Sequence, residues 1–177
     1  MTMIELLIAM TVLAVGLGGI IILISGAVAS NSRNKLDTTA TALAQSVMER
    51  IASAGPNDTS TFTINDCAST PNTLTLDPRG AANPGYGAQV TNGQISFTSM
   101  TANTPATGYD ITFVGCGPDQ LKYHIRWNVT NLQTSSNGKV YSKLITVAAR
   151  QKGADSATGI LQTMFAQPVT LRTIVAN

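Results

Sequence analysis

The sequence predicts an α+β fold: one long N-terminal α-helix, hydrophobic in its first half and amphipathic in its second, packed on a C-terminal antiparallel β-sheet head. Three observations predict it. Residues 6–29 contain no charged side chain and are dominated by Leu, Ile, Val, Ala, Met and Gly. Leu36, Leu43, Val47 and Ile51 then recur at helical spacing as one apolar stripe. Beyond residue 108, apolar and polar residues alternate in strand-like runs, two of them joined through Asn137-Gly138.

At the standard rise, a helix over residues 6–29 is about 36 Å long, enough to cross a hydrocarbon core of about 30 Å. A cleaved secretory signal is the competing reading, and it fails twice. Such signals open with basic residues, whereas residues 1–7 carry only Glu5. Their apolar stretch is also shorter, at about 7–15 residues. A core helix buried inside a soluble protein would not stay apolar all round over this length.

Glu5 is the informative residue. A carboxylate at the start of an apolar run is costly to bury without a partner. Backbone N–H groups and the positive dipole end of the helix supply one partner, and an α-amino group, its own or a neighbouring copy's, supplies the other. Topology adds a second clue. Positive-inside bias puts Arg33 and Lys35 in the cytoplasm, whereas the cysteines and the Ser/Thr-rich remainder belong outside. A short basic leader that once preceded Met1 removes the conflict.

These residues resemble the N-terminus of the type IV pilin family, including the pseudopilins of type II secretion. Family members begin Phe-Thr-Leu-Ile-Glu after a prepilin peptidase cuts behind a glycine. Here Met1-Thr2-Met3-Ile4-Glu5 leads into Leu6-Leu7-Ile8-Ala9, with Thr2, Ile4 and Glu5 matching position by position. The stretches 15–19 and 42–45 look closest to a minor-pilin branch, and the resemblance covers residues 1 to about 54. It implies that Met1 is N-methylated and that Met1, Thr2 and Glu5 form the assembly site, Glu5 pairing with the terminal amine of an adjacent subunit. The implied partners are copies of the chain in a helical filament, the inner membrane before assembly, prepilin peptidase and the pilus assembly machinery. The implied location is the inner membrane for the precursor and an extracellular pilus afterwards. Many major pilins carry proline where this chain has Ile22. The helix-weakening residues are instead Gly16, Gly18 and Gly19, each costing about 1 kcal/mol relative to Ala, so helix melting in a filament is expected over residues 16–24. Close helix packing through the same glycines is the alternative.

Residues 33–54 continue as the amphipathic half, and Gly55-Pro56 ends it. The expected organisation is therefore a helix over 1–54, with 1–29 for membrane and polymer contacts and 30–54 as the spine of a head over 55–177. Residues 55–108 are loop-rich, with five prolines (Pro56, Pro71, Pro78, Pro84 and Pro105) and short strand signals at 61–64, 73–76 and 94–99. Stronger signals follow at 109–114, 122–132, 140–150 and 169–175. In the second of these, Tyr123, Ile125, Trp127 and Val129 share one face. His124, Arg126, Asn128 and Thr130 share the other, which is expected to be the solvated one. A sheet of four or five strands on the helix stripe is the economical assembly.

Cys67 and Cys116 match no metal spacing. In an exported head they read as one disulfide, and otherwise as two buried thiols. Chemistry is otherwise sparse. His124 is the only histidine, so a two-histidine metal site is excluded. No nucleophile elbow, phosphate-binding glycine loop or calcium loop is present, and neither enzyme activity nor a cofactor is expected. Charged residues make up only 11% of the chain and the net charge is +2, with no basic run to suggest nucleic acid. Asn57 and Asn128 each open a glycosylation triplet. Three functions compete: a structural subunit of a type IV pilus-like filament polymerising through its hydrophobic helix, a minor pilin or secretion pseudopilin that primes assembly or binds a ligand, and a singly anchored binding module.

Overall fold

The computed structural model describes residues 2–76, 86–97, 108–116, 120–152 and 167–176. It consists of one long helix followed by antiparallel sheets. The helix α1, Met3–Ser53, is continuous. Two compact units divide the chain, Met1–Leu36 and Asp37–Asn177, so α1 supplies the first and opens the second.

In the second unit α1 is amphipathic. Ala40, Ala44, Val47 and Ile51 are buried at spacings of four, three and four, and Ala54 continues the line just past the helix end. The stripe read from the sequence needs one correction here. Leu36 falls in the first unit, Leu43 is only partly buried, and two alanines carry the upper half of the buried face. Short side chains let the helix lie close to a sheet whose own inward residues are bulky, and close packing then removes voids. Those inward residues are Tyr123, Ile125, Trp127 and Val129, joined by Ile145, Val147, Ala149, Tyr109 and Ile111.

Strands β1 (Thr61–Asn65) and β2 (Pro71–Thr75) form a hairpin of their own. The short strands β3 (Tyr86–Gly87), β4 (Val90–Thr91) and β5 (Gln94–Ile95) follow, then β6 (Asp110–Val114), β7 (Lys122–Thr134), β8 (Val140–Gln151) and β9 (Val169–Ala176). Five of these make the main sheet, with β7 flanked by β8 and then β9 on one side. The other side of β7 is shared between β6, opposite Lys122–Arg126, and β3, opposite Asn128 and Val129. Trp127 stands at the handover. Its N–H donates to Tyr109 O at 3.1 Å and its carbonyl accepts from Ala88 N at 2.9 Å. Gly87 holds φ at +112° there, and any Cβ would collide with Trp127 O and the Tyr109 ring, so only glycine fits.

The expected solvated face of β7 is buried. His124 is 6% exposed, Arg126 3% and Asn128 2%. The cover is the β4–β5 hairpin, whose Ile95, together with Ala88 and Phe97, packs with Ala148 of β8 into a second apolar cluster. That hairpin turns through Asn92 (φ +49°) and Gly93 (φ +82°), with Thr91 opposite Gln94. A two-residue Asn-Gly turn has this geometry, and it lies in the stretch the composition marks as loop. The expected strand over 94–99 survives only as β5, and its residues 98 and 99 lie outside the described ones.

Candidate functional site

Thr2 and Glu5 are brought together at the start of α1. Glu5 N–H donates to Thr2 O at 3.1 Å, and Glu5 Oε2 accepts from Thr2 N–H at 3.0 Å. The Thr2 hydroxyl lies 3.4 Å from the same oxygen. This is the carboxylate half of a capping box, in which a residue three positions into the helix satisfies the backbone donor of the cap residue. The Thr-x-x-Glu spacing is the sequence signal for this cap, and it specifies which of the backbone N–H groups at the helix start meets Glu5. Met1 lies outside the described residues.

The apolar run that follows is exposed on every side. Leu6, Leu7, Ile8, Leu13, Leu17, Ile21 and Ile24 are all more than half exposed, and so are the large aliphatic side chains between them. Among the described residues, α1 is the one helix long and apolar enough to cross a membrane. Its two polar side chains within residues 6–29 need nothing from solvent. Thr11 Oγ1 donates to Ile8 O and Ser25 Oγ to Ile21 O, each at 2.8 Å, the local bonding that lets hydroxyls sit in an apolar helix. Gly16, Gly18 and Gly19 lie within the unbroken helix, and a methyl group added to any of them would meet open space. Nothing in the chain's own packing calls for glycine there.

The two cysteines form the Cys67–Cys116 disulfide, with Cα atoms 5.1 Å apart, inside the ordinary range. It joins the β1–β2 turn to the end of β6. Asp66 organises that turn: Oδ1 accepts from Ala68 and Thr70 N–H, and Oδ2 from Val114 N–H at 3.3 Å.

Both glycosylation candidates have a structural role. Asn128 Nδ2, the atom a glycan would occupy, donates to Ala88 O in the buried face. Asn57 donates to Val140 O and accepts from Val140 N–H, both at 2.8 Å, so it pins the turn end of the β7–β8 hairpin to the loop after α1. Asn57→Ala removes two hydrogen bonds and is expected to destabilise the second unit by about 1.5 kcal/mol. Chemical denaturation followed by Trp127 fluorescence would measure it.

His124 sits in a network rather than on the surface. Its Nε2 is 2.8 Å from Asp110 Oδ2, a distance that places the ring proton on Nε2. Arg126 Nε, 3.4 Å from that nitrogen, therefore cannot donate to it and instead faces Asp110 Oδ2 at 3.7 Å. The His124 hydrogen bond holds the Asp110 carboxyl below its usual range against the effect of burial, and the charges of Arg126 and Lys152 add to it. Arg126 and Arg150 donate to Ser96 O and Phe97 O at 2.9 and 3.2 Å. Both guanidiniums lie over the Phe97 ring, at 5.3 and 4.4 Å from its centroid. The network fastens the β4–β5 hairpin to the sheet. This explains why a histidine and two arginines lie under cover without implying catalysis. No protein-family model, curated protein or solved structure matches the chain.

Proposed function

We propose that the chain is a structural subunit of an extracellular type IV pilus-like filament, polymerising through its N-terminal helix. One observation carries the reading: a membrane-length apolar helix, exposed on all sides and polar only where its own backbone satisfies the hydroxyls, opens with a capped Glu5 and leads into a disulfide-tied head. Such a surface is tolerable only in lipid or against other apolar helices. Burial of each large aliphatic side chain is worth roughly 1.5–3 kcal/mol before entropy costs. The same segment thus serves as inner-membrane anchor in the precursor and as filament core afterwards. Three glycines with no packing duty inside the chain, each weakening the helix, support contacts or melting that arise only in the assembled state.

Replacing Glu5 tests the polymer against a plain anchor. Glu5→Ala is expected to leave membrane insertion intact and to abolish or severely reduce filament yield in sheared surface material. Glu5→Gln keeps a hydrogen-bond acceptor for Thr2 N–H but removes the charge, so it separates capping from charge pairing. Filament yield unchanged in both variants would remove Glu5 from assembly, and absence of the parent chain from sheared surface material would leave only the anchored binding module. Mass spectrometry of the dominant sheared subunit would separate a major pilin from a minor pilin or pseudopilin, and would show whether Met1 is methylated.

A further inference from the structure

Nearly all of the large hydrophobic side chains described in the second unit are buried or partly buried. Among its described residues the exposed ones are Leu132 at 50%, Tyr141 at 42% and Ile174 at 63%. They gather at one end of the sheet. Ile174 of β9 stands opposite Leu144 of β8, which stands opposite Thr130 of β7, and Leu132 comes two residues after Thr130. Leu132 and Tyr141 are also the two residues skipped where the β7–β8 pairing slips out of register and back. Bulges of this kind re-aim side chains and recur at functional positions. The β4–β5 cover packs on Ala148, four residues along β8 from Leu144, and Leu144 remains only partly buried.

Charge is as uneven as burial. From residue 120 to 152, and again from 167 to 177, there is no Asp or Glu. Lys139 lies over the Tyr141 ring at 5.7 Å. Arg172, two residues before Ile174, is exposed, with its guanidinium against Gly93. The corner is therefore an apolar patch rimmed by cations, and it asks for an apolar or neutral surface with a carboxylate. The opposite side of the same unit offers one. Thr38, Ala42, Gln45 and Glu49 are not in the buried stripe of α1, and the last three follow one another on its exposed side. Glu49, held by Gln45 Nε2 at 2.9 Å, is their one charge.

We propose that the Leu132–Tyr141–Ile174 corner of one subunit seats the outward α1 face of a second copy, Glu49 lying between Lys139 and Arg172. The two surfaces are on opposite sides of a helix-on-sheet layer, so the contact is heterologous and repeats from copy to copy rather than closing a dimer. This rests on the filament reading and adds a head-to-head contact to the helix core.

Charge exchange in the full-length chain tests it. Lys139→Glu with Arg172→Glu, and separately Glu49→Lys, are expected to lower filament yield about tenfold through like-charge contact. Combining all three should restore it, because the pairs are re-formed with reversed sign. A second arm places cysteines at Leu132 and Ala42; oxidised filaments should then give a ladder of linked subunits, which neither single cysteine variant gives. Unaltered yield in the charge variants, failure of the triple variant to recover while its Trp127 fluorescence and unfolding match the parent, or absence of the ladder from well-formed filaments would overturn the contact while leaving the polymer intact. No filaments from the parent chain would overturn the polymer reading and this contact with it.

Discussion

Reducing the Cys67–Cys116 disulfide is expected to lower the stability of the second unit by about 4 kcal/mol in the chain-entropy model, the largest effect foreseen for any single bond here. The two residues are separated by 49 positions. Opening the link releases a long loop in the unfolded chain while removing few contacts from the folded one. Local structure magnifies the consequence. Cys67 N–H donates to Val114 O at 3.2 Å, and Asp66 Oδ2 accepts from Val114 N–H. The bridge therefore locks a junction that otherwise holds the β1–β2 hairpin to β6 by two hydrogen bonds. Paired replacement of Cys67 and Cys116 by Ser should reproduce the effect of reductant. Trp127, the only tryptophan and wholly buried, reports unfolding by its fluorescence. A loss below about 1 kcal/mol in both experiments would show that the junction does not depend on the bridge.

Lys143→Ala should cost about 3 kcal/mol. Lys143 is completely buried on β8, and its Nζ donates to Ile51 O at 3.4 Å and Gly55 O at 3.2 Å. The Ile51 carbonyl belongs to the last turn of α1, where four carbonyls lack helical partners and the macrodipole favours a cation, and Gly55 lies just past the helix end. Truncation leaves a cavity and removes the side-chain donor from the buried Ile51 O, whereas Gly55 O still accepts from Asp58 N–H at 3.0 Å. Burial also lowers the Lys143 pKa, with the negative charge of Asp58 opposing. The folded value then lies below the ordinary 10.5, so over the interval between them the unfolded chain binds more protons. Stability accordingly rises as pH climbs through that interval, and the full penalty for the buried charge applies below it. Lys143→Met keeps most of the volume and removes the titration, so its stability should lose this alkaline increase. The neutral amine of the parent still donates to the same carbonyls, which is why the cap survives deprotonation. An identical alkaline profile in Lys143→Met would assign the rise to another group.

Much of the architecture was legible in local pattern. The uncharged run, the stripe through Val47 and Ile51, and the alternation on β7 each need only neighbours within a few residues to declare themselves. So does the β7–β8 turn, although Asn137-Gly138 closes a longer loop than a two-residue hairpin: Ser135 N–H donates to Lys139 O, and Gly138 N–H to Ser135 O. Asn92-Gly93 carried the same signal and does form the tight turn, but its strands are two residues long, too short for alternation to register. Missing that hairpin is what turned the far face of β7 into an expected solvent face. At the N-terminus the reverse held. The Thr2–Glu5 cap is a contact across three residues and was readable from spacing.

The amino-acid order alone therefore determined the elements whose stabilising contacts are local: the helix with its two characters, the strand pattern with its hydrophobic inner face, and the candidate pairing of two cysteines. Tertiary structure alone decided what lies over each face and end. Period-two alternation states that a strand has two sides but carries no information about which distant segment covers the second. His124, Arg126 and Asn128 became interior through residues 88–97, and Lys143 became a helix cap through carbonyls some ninety positions away in the chain. Asn57 became a clamp across 83 positions. Burial of a polar group is favourable only when such a partner arrives, and the partner's identity is a property of the folded chain.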